Sequence, residues 1–354
     1  MRRIAAVIMA ILVALSACAR APMPQSGGIS VVCTIFPLYD WVREILGDNA
    51  GGVELTLLLN NPVDLHSYQP TVDDMVRISA CDLFIYVGGE SDKWAADALL
   101  SGANPDRKAI HLLSALGEEA KREELVEGME DGEGGGAGDD GAAGEAGAAG
   151  EAGAGAGHGS AAEPGGDEPD EPDEMDELDE HVWLSLRNAG RFCRVICEAL
   201  SAMDAANAGA YHTNTEAYLD KLSALDAAYE AAVGAAVVRT LLFGDRFPFR
   251  YLLDDYGISY HAAFPGCSAE TEASFATIIY LADKMDELNL DAVMVTESAD
   301  QSLARTIISN TARQDRRILV LDAIQSVAPK GAGSESTYLS IMESNLAALK
   351  EALM

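Results

Sequence analysis

Residues 29–47 read ISVVCTIFPLYDWVREILG, and their pattern decides the fold class. Ile29 to Phe36 is mostly apolar and rich in β-branched residues, which reads as a strand buried on both faces. Pro37 then opens a helix at its first position, where a missing N–H costs nothing. Leu38, Trp41, Val42, Ile45 and Leu46 follow at helical spacing, and Gly47 closes the helix. The same unit recurs outward. Val53 to Leu59 is a second strand, and Thr71 with Asp74 forms a capping box for a helix through Ala80. Leu83 to Val87 is a third strand, a helix starts at about Asp92, and Lys108 to Leu113 is a fourth strand. Strands that alternate with helices pack as a parallel sheet covered on both faces. Further on, helical pattern resumes at about Leu186. A long helix is predicted from about Ala206 to Val233, with Tyr211, Tyr218, Leu222, Leu225 and Tyr229 as one apolar core stripe. Its length suits a spine between lobes. The alternation then restarts, with strands at 237–243, 258–263, 292–295 and 318–321 and a last helix from about Glu335 to Leu353. The expected architecture is α/β: two four-stranded parallel α/β lobes joined by a long rigid helix.

The ends and the middle of the chain read differently. Arg2 and Arg3 form a positive start, and 4–14 is an apolar run too short to span a bilayer comfortably. Leu15-Ser16-Ala17-Cys18 reads as a lipobox. On that reading 1–17 is a lipoprotein signal peptide, Cys18 carries the lipid, and 18–28 is a tether. More than one acyl chain gives lasting anchorage. Between Glu123 and Leu186 there is no Lys or Arg; the centre is a Gly/Ala/Glu repeat and the end is rich in Asp, Glu and Pro. Such composition cannot bury enough apolar surface to fold, so a disordered acidic insertion is expected at about 118–178. The domain reading is a first lobe over 29–186 carrying that insertion, a helical region over 187–235, and a second lobe over 236–354.

The formal net charge of the 354-residue chain is −33, much of it in the insertion. With no basic stripe to meet phosphates, nucleic-acid binding is excluded, and a cationic ligand suits the balance. Of six cysteines, Cys33, Cys81, Cys193, Cys197 and Cys267 are left once Cys18 is lipidated. Cys193 and Cys197 have a metal-pair spacing but lie among apolar neighbours and no second pair accompanies them, so they read as buried small residues.

Two of the six histidines stand in distinctive settings. His66 lies in NPVDLHSYQPT, the loop after the second strand, where parallel α/β sheets place ligand sites. His181 lies in DEHVWLSLRNA, at the end of the acidic insertion. Neutral imidazole is the commonest metal ligand. His111, His158 and His212 lack such context, and His261 sits at the end of a second-lobe strand. Farther along come FRYLLDDYGIS, then GCSAETEAS from Gly266, VTESAD from Val295, and Leu321-Asp322. In this order the motifs resemble the solute-binding lipoproteins of zinc and manganese ABC importers, over nearly the whole mature chain.

The resemblance implies two lobes with a metal in the cleft, only modest lobe movement on binding, and a metal-attracting insertion between the two histidine motifs. It implies His66 and His181 as first-lobe ligands and a carboxylate from the second lobe, with Asp300, Glu297 and Asp245 as candidates and Asp300 slightly preferred. It also implies a histidine or glutamate where this chain has Arg246, which has no lone pair to give. Asp245 is the substitute through a shift of the loop, and Arg246 is assigned to orienting a ligating carboxylate. Leu65 stands where an acidic or small polar residue is often seen. The expected function is capture of a divalent transition metal, zinc ahead of manganese or ferrous iron. Delivery is to an ABC importer permease, by a monomeric, lipid-anchored, extracytoplasmic receptor without catalysis. The rivals are a metal-dependent hydrolase, against which the lack of an H-E-x-x-H helix counts, and an adhesin or structural lipoprotein with a vestigial metal site.

Overall fold

The computed structural model describes residues 28–60, 65–100, 102–129, 177–268, 272–325 and 336–354. The signal peptide, Cys18, His158 and most of the tether and insertion lie outside them.

The first lobe carries β1 (Ile29–Cys33), β2 (Val53–Leu57), β3 (Leu83–Tyr86) and β4 (Lys108–His111) in the order β2-β1-β3-β4, all parallel. The second carries β5 (Thr240–Phe247), β6 (Ser259–Pro265), β7 (Ala292–Val295) and β8 (Arg317–Val320) in the equivalent order β6-β5-β7-β8, again all parallel. Between the strands run α1 (Phe36–Leu46), α2 (Val72–Ala80), α3 (Lys93–Leu100) and α4 (Leu112–Leu116) in the first lobe. The connecting helices are α5 (Leu186–Met203) and α6 (Ala208–Ala235). The second lobe has α7 (Arg250–Tyr256), α8 (Phe275–Glu287), α9 (Ser302–Ser309) and α10 (Tyr338–Leu353). Pro37 sits in the first turn of α1. The capping box on α2 is complete: Thr71 Oγ1 accepts from the Asp74 N–H, and Asp74 returns the bond to the Thr71 N–H at 2.9 Å.

The 28 residues of α6 span about 42 Å at 1.5 Å per residue. Its Tyr211, Tyr218, Leu222, Leu225 and Tyr229 are buried, as the periodicity predicts. One hydrophobic core runs without a break from the first lobe through α5 and α6 into the second lobe, and a second core fills the far face of the second sheet. Polar contacts stitch the shared core. Trp183, fully buried, donates Nε1–H to the Ala323 carbonyl at 2.9 Å. Tyr338 donates its N–H to Asp40 at 2.8 Å and its hydroxyl to the Trp183 carbonyl at 2.7 Å. Tyr229 donates to the Met342 carbonyl at 2.6 Å. Burial pushes the Asp40 carboxyl up to about 6 while the Tyr338 N–H and Arg43 pull it down. Lobes locked through a common core have no free hinge, so any large rotation would have to expose it.

Two differences from the sequence reading bear on the site. β5 continues past Phe243 to Phe247 through an irregularity in its pairing with β6, so Asp245 and Arg246 lie within a strand rather than in a loop. Residues 118–129 and 177–178, assigned to the insertion, belong to the described fold. Arg122 bridges Leu178, the Glu123 N–H donates to the Glu177 carbonyl at 2.9 Å, and the Asp179 N–H donates to the Lys121 carbonyl at 2.8 Å. Backbone pairing across the two ends of the insertion does what their side chains alone could not. Among the described residues no helix is long and apolar enough to cross a membrane.

The stitching through Trp183 predicts a graded loss of stability. Trp183→Phe leaves a buried carbonyl short of its donor and is expected to cost about 1–3 kcal/mol. Trp183→Ala adds a cavity and is expected to cost about 3–5 kcal/mol. Urea unfolding of the purified chain checks both; equal stability of all three proteins would mean the lobes do not depend on this contact.

Candidate metal centre

The loops that bring His66, Ser91, Cys267 and Gln325 to the cleft leave the carboxyl ends of β2, β3, β6 and β8, and His181 comes from the segment that leads into α5. His66 lies in a short 3-10 turn after β2 (Leu65–Ser67). Leu65 is buried and plugs this turn into the core, which accounts for an apolar residue beside the histidine. The His66 Nδ1 meets Ser91 Oγ at 2.7 Å in the turn after β3, with Glu180 Oε2 at 3.8 Å. His181 is fully buried just before α5. Asp179 Oδ1 accepts both its main-chain N–H, at 2.8 Å, and its Nδ1–H, at 2.9 Å. A carboxylate on Nδ1 fixes the tautomer and leaves the Nε2 lone pair outward.

The two Nε2 atoms face one another at 3.3 Å. Two metal–nitrogen bonds of about 2.0–2.1 Å meeting at a tetrahedral angle separate their nitrogens by about 3.3 Å. The pair is thus spaced for one small cation. Gln325, in the loop after β8, lays its amide nitrogen 2.6 Å from His181 Nε2 and 3.3 Å from His66 Nε2. That amide donates to the imidazole lone pairs from the position a cation would take. Cys267, in the loop after β6, completes a group of three whose ligand atoms all lie within 4.8 Å of one another. Gly266 lets that loop approach, since a Cβ there would stand 2.9 Å from His181 Cε1 and 3.0 Å from the Phe247 carbonyl oxygen.

The charges around the pair are buried and tied down. Glu180 Oε1 accepts from the Ser91 N–H at 2.8 Å. Its carboxyl is pushed up to about 7, by burial first, against the pull of Ser91 and His181. Gly89, at φ +84°, makes room for it: a Cβ there would collide with the Glu180 carboxylate. Asp92 accepts from the Val87 and Gly88 N–H groups at 2.9 and 3.1 Å, and burial raises it to about 6. For His181, burial disfavours the charged ring, but Asp179, Glu123 and Glu180 together outweigh it and raise the imidazole above its ordinary value.

The family model described as the zinc-uptake complex component A, periplasmic, matches residues 31–352. The chain belongs to this family. It is 27% identical over 325 residues to the zinc-binding lipoprotein AdcA of Streptococcus pneumoniae, covering 92% of this chain but only 56% of that protein, so it spans about half that relative's length. It is 26% identical to the high-affinity zinc uptake system protein ZnuA of Bacillus subtilis, covering 92% of this chain and 88% of that one. The fold is that of the Zn(II)-bound ZnuA-like domain of S. pneumoniae AdcA, with a TM-score of 0.64, 24% identity and 92% of this chain covered.

Within this zinc-uptake family fold, the carboxylates expected from the second lobe are engaged elsewhere. Asp245 Oδ2 accepts from the Thr296 N–H at 2.8 Å and the Thr296 hydroxyl at 2.5 Å, and Oδ1 accepts from the Arg246 N–H at 2.8 Å. Glu297 accepts from the Ala323 N–H at 2.8 Å and the Gln325 N–H at 3.3 Å, so it holds the loop that presents Gln325. Asp300 is exposed and accepts from the Ser302 N–H at 2.8 Å, which holds its carboxyl below the ordinary range. None of the three joins the group formed with His66 and His181. The remaining described histidines each engage their Nδ1 away from this group: His111 with Ser114, His212 with Cys197, and His261 with Tyr280. Cys193 and Cys197 are buried free thiols, as read. Sequence reasoning missed Cys267, Gln325 and Ser91. The Gly266-Cys267 pair was the one available signal, a small residue beside a soft ligand at the end of a strand.

Two predictions come from this geometry. Asp179→Ala frees the His181 ring and is expected to weaken zinc binding roughly 10- to 100-fold; a calorimetric titration showing unchanged affinity would remove Asp179 from the site. The second concerns pH. Glu180, Asp92 and Asp322 all hold protons in the folded state at pH values where an unfolded chain has lost them, with Asp322 raised to about 6 by burial and by Glu297. The raised His181 acts in the same sense. Their stabilisation is complete at low pH and is lost as pH rises through about 6–7. The partly buried Asp204 and Asp286, shifted down, act oppositely at lower pH. The metal-free chain should therefore melt at a higher temperature at pH 5 than at pH 7.5. The increment from zinc should grow over the same interval, because protons no longer compete with the cation. A metal-free melting temperature that rises with pH would contradict this account.

Proposed function

We infer that this chain is an extracytoplasmic receptor that captures a divalent transition metal and hands it to an ABC importer permease, held at the membrane by a lipid on Cys18. The observation that carries the reading is the facing pair of Nε2 atoms at 3.3 Å, each ring braced through its other nitrogen. Imidazole nitrogens favour zinc over the oxygen-seeking manganese, with ferrous iron between them. The relatives named above are zinc-binding and zinc-uptake proteins, which supports the same order.

Capture needs little from the protein beyond exchange of donors. The Gln325 amide satisfies the two imidazoles. An arriving cation replaces those hydrogen bonds, and rotation of the same amide turns its carbonyl oxygen toward the ion. The shared core keeps the lobes in place during this exchange, so recognition by the permease would read the cleft loops rather than a wide domain closure. Arg246 has no lone pair to give a cation, and its main-chain N–H donates to the Asp245 carboxylate that braces the turn at Thr296. The function is binding without turnover, since a hydrolase would have to keep a coordination position open for water.

Zinc at a hundredfold excess over its dissociation constant should stabilise the chain by about 2.7 kcal/mol relative to chelator. Elemental analysis of the purified protein should find one metal per chain. The double variant His66→Ala, His181→Ala should lose both effects. Identical melts with zinc, manganese and chelator, or tight binding that survives the double variant, would refute the receptor reading.

A further inference from the structure

We propose that Cys267 supplies the second lobe's ligand to the metal as a thiolate, and that Glu123, at the root of the acidic insertion, positions it. The proposal rests on the receptor reading and names the chemistry of that site. Three observations carry it. First, Cys267 Sγ lies within 4.8 Å of ligand nitrogens on both His66 and His181, and it comes from the opposite side of the cleft. Second, the second-lobe carboxylates Asp245, Glu297 and Asp300 each have oxygens committed to main-chain N–H groups that hold turns. Third, Cys33, Cys81, Cys193 and Cys197 are all buried, whereas Cys267 is only half-buried and stands at the cleft.

The loop is held from the first lobe. Glu123 Oε1 accepts the Cys267 N–H at 2.9 Å. The Glu123 segment is itself tied to α7: the Lys121 N–H donates to the Tyr251 hydroxyl's oxygen at 2.8 Å, and Arg250 donates to the Arg122 carbonyl at 2.9 Å. Glu124 pairs with Arg250 at 3.1 Å. The stem of the insertion is thus a strap across the cleft whose end grips the ligand loop. When the metal binds, the Cys267 S–H bond breaks, its proton passes to solvent, and the sulfur electron pair forms the bond to the cation. Two imidazoles and a thiolate suit zinc and Co(II) at tetrahedral geometry and disfavour manganese.

Co(II) reports thiolate ligation directly, through a sulfur-to-cobalt charge-transfer band in the near ultraviolet that imidazole and carboxylate ligands do not give. The full chain loaded with Co(II) should show this band together with tetrahedral visible bands. Cys267→Ser should keep the fold, judged by its metal-free melting curve, lose the band, and bind zinc at least about tenfold more weakly. Glu123→Ala should reduce the band and weaken zinc binding roughly 10- to 100-fold, and Glu123→Gln, which keeps an acceptor oxygen, should restore most of both. Co(II) uptake that depends on His66 and His181 but gives no charge-transfer band would overturn this proposal and leave the receptor reading standing. A band that persists in Cys267→Ser would also overturn it. Failure of the chain to take up either zinc or Co(II) would overturn both.

Discussion

Asp179, Glu180 and His181 are three consecutive polar residues, each at most 3% exposed, and the cleft is organised around the need to satisfy them. Burying one charged or polar side chain without partners is costly, and burying three in a row leaves the chain few conformations. Here each finds its partner through another element. Asp179 turns back onto the His181 ring and N–H, and Glu180 reaches across to the Ser91 N–H. Ser91 in turn meets His66, so both rings are aimed by carboxylates that sit side by side in the sequence. A brace of this kind explains how a fully buried imidazole keeps its Nε2 lone pair available.

The second constraint is mechanical. The core that fills the first sheet continues under α6 and α10 into the second lobe, and the Tyr338, Asp40 and Trp183 bonds cross that junction. Close-packed interiors resist continuous deformation. On the receptor reading, exchange of a cation for the Gln325 amide therefore falls to side chains and to the loop that Glu297 holds. A receptor built this way discriminates by donor chemistry and spacing more than by the extent of closure.

The acidic residues serve two ends that composition alone does not separate. Those at the stem, Glu123 and Glu124, are anchored to the second lobe, while Asp245, Glu297 and Asp300 cap turns at the ends of its strands. Carboxylates at such places answer unpaired main-chain N–H groups, a demand that every strand-to-helix turn makes. An acidic residue near a cleft is thus as often a device of the fold as a ligand.

Much of the architecture was legible because it is local or periodic. The mostly apolar run at 29–36, the apolar run at 83–87, the Pro37 start, the Thr71–Asp74 box and the tyrosine stripe of α6 each follow from bonds and burial within a few residues, and each stands in the structure near where the pattern put it, although the first strand ends at Cys33. His66 and His181 drew attention through their loops, but nothing in the chain states that two rings 115 residues apart meet at 3.3 Å. Cys267 had only the glycine beside it as a local mark, and Gln325 had none. Their roles depend on where β6 and β8 end relative to a first lobe folded from the other half of the chain, and on a glycine small enough to let one loop touch a ring in the other. Period, caps and composition are properties of neighbours along the chain and so can be read from it. The completion of a site across two lobes is a property of distance in space, which the packing of the shared core decided.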